Sequence, residues 1–306
     1  MVEKKQLNGS VTMGNRELAR EMLKGSIDLH IHSGPDVFPR KLNDIEVAQQ
    51  AKEAGMRAVL LKSHLESTAG RAAIASLVTD YSVYGGLALN HSAGGLNPAA
   101  VRVATQMGAK QVWMPTIHAE HYLKVIDNVP MFAKYLKPGT PGINVLGPDG
   151  KLKDEVLEII EIVAEADIIL STGHISVEEA MVLIEQAKKG GVKKILVTHP
   201  TSPMEGYTNE CMKEAVARGA SMMEHVVNDT TPQMKTPIPS TVISDAVRAV
   251  GATNTILSTD SGQVINPVPV ISMENFICMM LDDGISQEDI RLMTVDNPAK
   301  MLGIGT

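Results

Sequence analysis

Two histidines separated by one residue, His30 and His32, stand in the stretch Ser26-Ile-Asp-Leu-His-Ile-His-Ser-Gly-Pro-Asp36. Its alternation predicts a half-buried strand, with Ile27, Leu29 and Ile31 on one face and Asp28, His30 and His32 on the other. Two imidazoles on one strand face can reach the same metal ion, and Ser33-Gly34-Pro35 ends the strand just past them. The other seven of the nine histidines (64, 91, 118, 121, 174, 199 and 225) also fall at or just past the C-terminal end of an apolar run, and none falls in a helical one. Histidines scattered without function would fall partly on helices. His174, His199 and Asp260 close three of these runs. With His30 and His32 they make a donor set of imidazoles and one carboxylate suited to Zn²⁺ or a similar borderline ion. An ion with an open position binds water and lowers its pKa towards ~7. Asp260 beside that water can take its proton and later hand it to a leaving group. The chemistry expected is hydrolysis.

Such a set needs a scaffold that aims strand ends at one point. Apolar runs recur at Ser26–Asp36, Arg57–His64, Tyr84–His91, Gln111–Thr116, Asp167–His174, Lys194–Pro200, Ala220–His225 and Thr255–Asp260. Helical segments separate them. Asn43-Asp-Ile-Glu46 and Ser176-Val-Glu-Glu179 have the form of capping boxes, and Asn97-Pro98 opens another helix. Lys137 to Gly150, rich in Pro and Gly, reads as an inserted hairpin or loop. Eight strand–helix units predict a (β/α)8 TIM barrel with the metal site at the C-terminal ends of its strands. A doubly wound sheet would carry a glycine-rich phosphate loop after its first strand, and Ser33-Gly34-Pro35-Asp36 is not one. Residues 1–25 are expected to be a lead-in with one short helix over Asn15–Lys24, and residues 26–306 a single barrel.

Composition narrows the partners. The chain has 306 residues, a net charge of −7 and no basic cluster, which argues against nucleic acid. Two cysteines, Cys211 and Cys278, make no disulfide framework. No apolar run reaches the ~20 residues of a membrane helix, and the first residues contain no signal-peptide core. A cytoplasmic protein acting on a small molecule is expected, with no membrane partner. Pairing of copies through exposed barrel helices is compatible with the sequence.

Asp28-Leu-His-Ile-His32, Gly173-His174, Thr198-His199 and Thr259-Asp260, in that order, resemble the amidohydrolase superfamily of metal-dependent hydrolases. The closing Asn297-Pro-Ala-Lys-Met-Leu-Gly303 resembles the helix that ends many of its barrels. The resemblance implies metal ligands at His30, His32 and His174, with Asp260 as ligand and proton shuttle. His199 would be a second-metal ligand in two-metal members or a water-orienting base in one-metal members. Two-metal members often bridge the ions with a carboxylated lysine or a glutamate on the fourth strand. Gln111–Thr116 offers neither, which turns attention to Lys62 on the second. Lys62 would bridge after carboxylation, or stay charged and hold a substrate carboxylate. Zn²⁺ is the expected ion, as one or two per chain, with Mn, Ni or Fe as alternatives.

Rim position makes His64, His91 and His225 candidates for substrate contacts, and His118 is a further candidate on the loop or helix above the site. Glu224 joins them because a strand interior is a poor place for an unpaired charge, and Arg40 in the first loop would bind an anionic group. Few aromatic residues argue against a stacking pocket, and Glu224, Lys62 and Arg40 suggest a small polar or charged substrate: an amide, cyclic amide, lactone or ester opened by metal-bound hydroxide. The superfamily also contains decarboxylases and hydratases, so these remain alternatives on the same site. A metal-dependent phosphoesterase that also opens D-L-H-x-H-S would need D-x-H near the chain's end, where Asp260-Ser-Gly262 stands. A non-catalytic metal-binding barrel would have no use for Asp260 as a shuttle.

Overall fold

The eight apolar runs become eight strands. The computed structural model describes residues 13–125, 135–136 and 139–305. The strands are Ile27–His32 (β1), Ala58–Lys62 (β2), Val83–Ala88 (β3), Gln111–Trp113 (β4), Ile169–Ser171 (β5), Ile195–Thr198 (β6), Met222–Val226 (β7) and Thr255–Ser258 (β8). They pair in chain order, every pair parallel. The circle closes where Asp260 N–H donates to the His30 carbonyl and His32 N–H to the Ser261 carbonyl, each at 2.8 Å. This is a (β/α)8 barrel.

The barrel has two apolar layers. One cluster takes a residue or two from all eight strands, including Ile27, Leu29, Ala58, Leu60, Trp113 and Ile256, and so fills the interior. Ala299, Met301 and Leu302 of the last helix, Asn297–Leu302, join it. Ile31, Val59 and Leu61 instead pack outward against helix residues such as Val47 and Ala51. The plain alternation expected for β1 therefore breaks. A register shift between Asp28 and Ile31 resets the faces, so Ile27 and Leu29 point inward, as His32 does opposite Lys62. Such irregularities re-aim side chains at barrel rims.

The break is pinned by Asp28. Its carboxylate accepts from Thr259 Oγ1 at 2.6 Å, and from the Thr259 and His30 backbone N–H groups at 3.1 Å. One buried side chain thus ties β1 to the residue after β8, beside both His30 and Asp260. Asp28→Ala strands three buried donors and is expected to cost roughly 2–4 kcal/mol of stability. Urea denaturation of the metal-stripped protein would check this.

The expected caps form. Asn43 and Glu46 close one capping box and Ser176 and Glu179 another, and Asn97 caps the helix begun by Pro98. The lead-in helix spans Met13–Met22 and packs on the helix Pro269–Asp282, with Ala19 and Leu23 buried. The region from His118 holds a helix, Glu120–Val125, which places His121 on a helix against expectation; residues 126–134 lie outside the described residues. Among the described residues no helix is long and apolar enough to cross a membrane.

Candidate metal centre

Strand register sets the site. His32 pairs with Lys62 across β1 and β2, so the two side chains rise together from the barrel interior. Trp113 of β4 forms the floor, with Lys62 Nζ 5.3 Å from its ring centre and the His30 ring 6.2 Å away.

Two groups of three donors stand on this floor. The first is His30, His32 and Asp260, with one donor atom of each within 4.8 Å of the others. Asp260 Oδ1 lies 3.2 Å from His30 Nε2 and 3.0 Å from His32 Nε2. His30 Nδ1–H donates to Glu224 Oε2 at 3.2 Å, which turns Nε2 toward Asp260, where it would meet a cation once that nitrogen gives up its proton. Asn228 donates to Asp260 Oδ2 at 3.1 Å and is itself held by Asn266 at 2.8 Å. The second group is His174, His199 and Glu205, again within 4.8 Å. His174 Nδ1, His199 Nδ1 and Glu205 Oε1 are all buried without a hydrogen-bond partner. Buried imidazole nitrogens and a carboxylate oxygen without hydrogen-bond partners, on three residues whose donor atoms lie together, suit a cation. The residues therefore fit a divalent metal.

Lys62 stands between the groups. It is 1% exposed and its Nζ lies 2.9 Å from His30 Nε2. Burial lowers its pKa to about 8, against the pull of Asp260, Glu224 and Glu205. Burial also pushes His32, His64 and His174 well below the usual imidazole range, and His199 down to about 4. These rings are neutral with lone pairs to give. His30 differs: burial and Lys62 oppose its charging, but Asp260 and Glu224 outweigh them and raise it to about 8. Burial would raise the Asp260 carboxyl, yet His30 and His32 hold it well below the usual carboxylate range.

The backbone is bent to make this convergence. His199 precedes Pro200, which predicts extended geometry; instead its φ is +26°, and that of Asp260 is +49°. Left-handed residues without glycine's freedom concentrate at functional sites. Two glycines make room beside them. A Cβ on Gly262, at φ +135°, would collide with the His32 carbonyl, and one on Gly173, at φ +62°, with the carbonyls of Met114 and Pro115.

A cavity of about 30 Å³ lies between the groups, walled by His32, Lys62, His64, His174, His199 and Asp260. His64 is steadied by Thr116 Oγ1 at 2.8 Å and stacks on His32. Arg40 reaches the cavity as expected, yet its charge is already paired with Asp36 at 2.8 Å, and its Nη2 lies 3.4 Å from His32 Nδ1. Four residues expected to contact substrate, Glu224, His91, His118 and His225, lie outside the cavity lining. Glu224 does not line the cavity, because its carboxylate is turned to the back of His30. His91 and His118 meet edge to face outside it, His91 donating to the Pro141 carbonyl at 2.8 Å. His121 donates to the Met204 carbonyl and steadies the loop that carries Glu205.

Sequence reasoning missed Glu205, Asn228 and Asn266, and the two glutamines Gln233 and Gln263 that also wall the cavity. Glu205 left one trace: it is the lone carboxylate between His199 and the next helix-opening Thr208. The others are loop amides with no spacing signal.

The profile of a family of unknown function (DUF6282) matches residues 25–223. No curated protein matches the sequence. Among solved structures, an amidohydrolase from Pseudomonas aeruginosa is similar at a TM-score of 0.58 with 14% identity, over 93% of this chain and 98% of that one. The probable dipeptidase PvdM from Pseudomonas aeruginosa is similar at 0.60 with 11% identity, over 95% and 98%. A dihydroorotase is similar at 0.59 with 13% identity, over 92% and 70%. At such identities the likeness is one of fold, and it is the fold that the motifs around His30 and Asp260 resemble.

Proposed function

The chain belongs to the DUF6282 family, and from that premise we propose that it is a divalent-metal-dependent hydrolase opening an amide, cyclic amide, lactone or ester. One observation carries the reading: two three-donor groups face each other across Lys62 at the strand ends, and the second group holds buried nitrogens and a carboxylate oxygen without hydrogen-bond partners. The imidazole and carboxylate donors favour Zn²⁺, with Mn, Ni or Fe as alternatives. A bound ion supplies Lewis acidity towards the carbonyl and acidifies a water at the site. His30, His32 and Asp260 would hold one ion, and His174, His199 and Glu205 a second.

The chain's own groups supply the rest. Asp260 takes the attacking water's proton on its carboxylate and returns it to the leaving nitrogen or oxygen, while Asn228 keeps that carboxylate aimed. Glu224 holds the His30 ring in place from behind. Lys62, with its lowered pKa, has a neutral amine fraction that can add to CO₂; the new N–C bond releases a proton and leaves a carboxylate between the two groups.

The test is metal content by mass spectrometry after reconstitution with Zn²⁺, Mn²⁺, Ni²⁺ or Fe²⁺, followed by a panel of simple esters, lactones and amides. Stoichiometric metal and turnover that a chelator abolishes are expected. A protein that binds no stoichiometric metal under any of these conditions would overturn the reading.

A further inference from the structure

The cavity between the donor groups measures about 30 Å³, room for about a water molecule. The body of any substrate must therefore lie outside it. Directly outside is a groove of about 730 Å³ lined by Val37, Phe38, Val264 and Ile265, whose inner edge is formed by Gln233 and Gln263. Those two glutamines line the cavity as well, so the two spaces share a wall. The joint is built: Arg40 pairs with Gln263 backbone to backbone. Its guanidinium stands 5.6 Å from the Phe38 ring centre in the groove and 3.4 Å from His32 at the donor groups. Gln263 in turn donates to the Asp260 carbonyl at 2.8 Å.

Among the described residues the groove has no charged lining residue. Val37, Val264 and Ile265 are 62, 55 and 64% exposed, all on loops at the barrel's C-terminal mouth. A polar substrate alone gains nothing from such a surface. Pockets of a few hundred Å³, mostly apolar with a few polar groups at one end, bind molecules of matching polarity.

We infer that the substrate is amphipathic: a carbonyl end passes Gln233 and Gln263 to the donor groups, and an apolar hydrocarbon arm lies in the groove between the β1 and β8 loops. This deepens the hydrolase reading and rests on it.

The experiment uses the full chain loaded with Zn²⁺ and two series of probes. Turnover is measured on γ-lactones carrying alkyl arms from methyl to nonyl. Binding is measured by calorimetry on straight-chain carboxylates from propanoate to decanoate, which need no reaction. Affinity and kcat/KM are expected to rise by roughly threefold per methylene until the groove is filled. Val37→Asp and Ile265→Asp, both at exposed positions, are expected to flatten both slopes. Turnover without any chain-length dependence would overturn the arm while leaving hydrolysis standing. A binding slope that the two variants flatten, with no turnover of any lactone, would support the groove and count against hydrolysis. Sedimentation closes the other route. A dimer that Ile265→Asp converts to monomer would show that a second copy fills the groove, and would overturn the proposal.

Discussion

Asp260→Asn is expected to lower kcat by roughly 10²- to 10⁴-fold in metal-saturated protein, the span that removal of a positioned acid–base group usually costs. The exchange removes the proton acceptor while keeping the side chain's size. It also weakens the first donor group, since Asp260 Oδ1 converges with His30 and His32 Nε2. Metal content measured on the same sample separates the two effects. Full metal occupancy with the activity lost assigns Asp260 to proton transfer; loss of one ion in parallel with activity assigns it chiefly to ligation. Full activity with full occupancy would remove Asp260 from the mechanism. The depressed pKa of its carboxyl, with His30 and His32 outweighing burial, keeps the group ionised.

The barrel was legible because its strands advertise themselves. Each is a short apolar run, buried along its length in β1, β2 and β4 to β8 and nearly so in β3, and each ends near a turn residue or a histidine. Length and spacing then suffice for the order. The register shift in β1 was not legible, because one extra residue leaves no mark on an alternating pattern until a neighbouring strand supplies the pairing. The same gap explains the misplaced residues. Place in the chain singled out His64, His91, His118 and Glu224, but place does not give direction. His64 turns into the cavity, whereas His91 and His118 turn to each other and Glu224 to the back of His30. Glu205 was hidden for a related reason. It lies beyond β6 in a loop, and only the folded path brings it to His174 and His199. The left-handed backbone of His199 shows the reverse case, where a local rule for residues before proline yields to the demands of the site.

Lys62→Ala is expected to take the metal content from two ions per chain to one. Lys62 is the group that sees both donor sets: its Nζ is 2.9 Å from His30, and its charge is stabilised by Asp260 of the first set and Glu205 of the second. As an ammonium it would repel a cation on either side. As a carbamate it carries a negative charge to the same place. The two forms therefore predict opposite responses to CO₂. Wild-type protein reconstituted in CO₂-free buffer is expected to hold one ion and to take up a second when bicarbonate is added, with a mass increase of one CO₂ on Lys62. Lys62→Ala should hold one ion under both conditions. If wild type and variant both bind two ions regardless of bicarbonate, the bridge is not Lys62, and Glu205 with the two histidines suffices for the second ion. If both bind one, Lys62 remains an ammonium, and its place beside the cavity assigns it to the substrate's carbonyl oxygen rather than to metal.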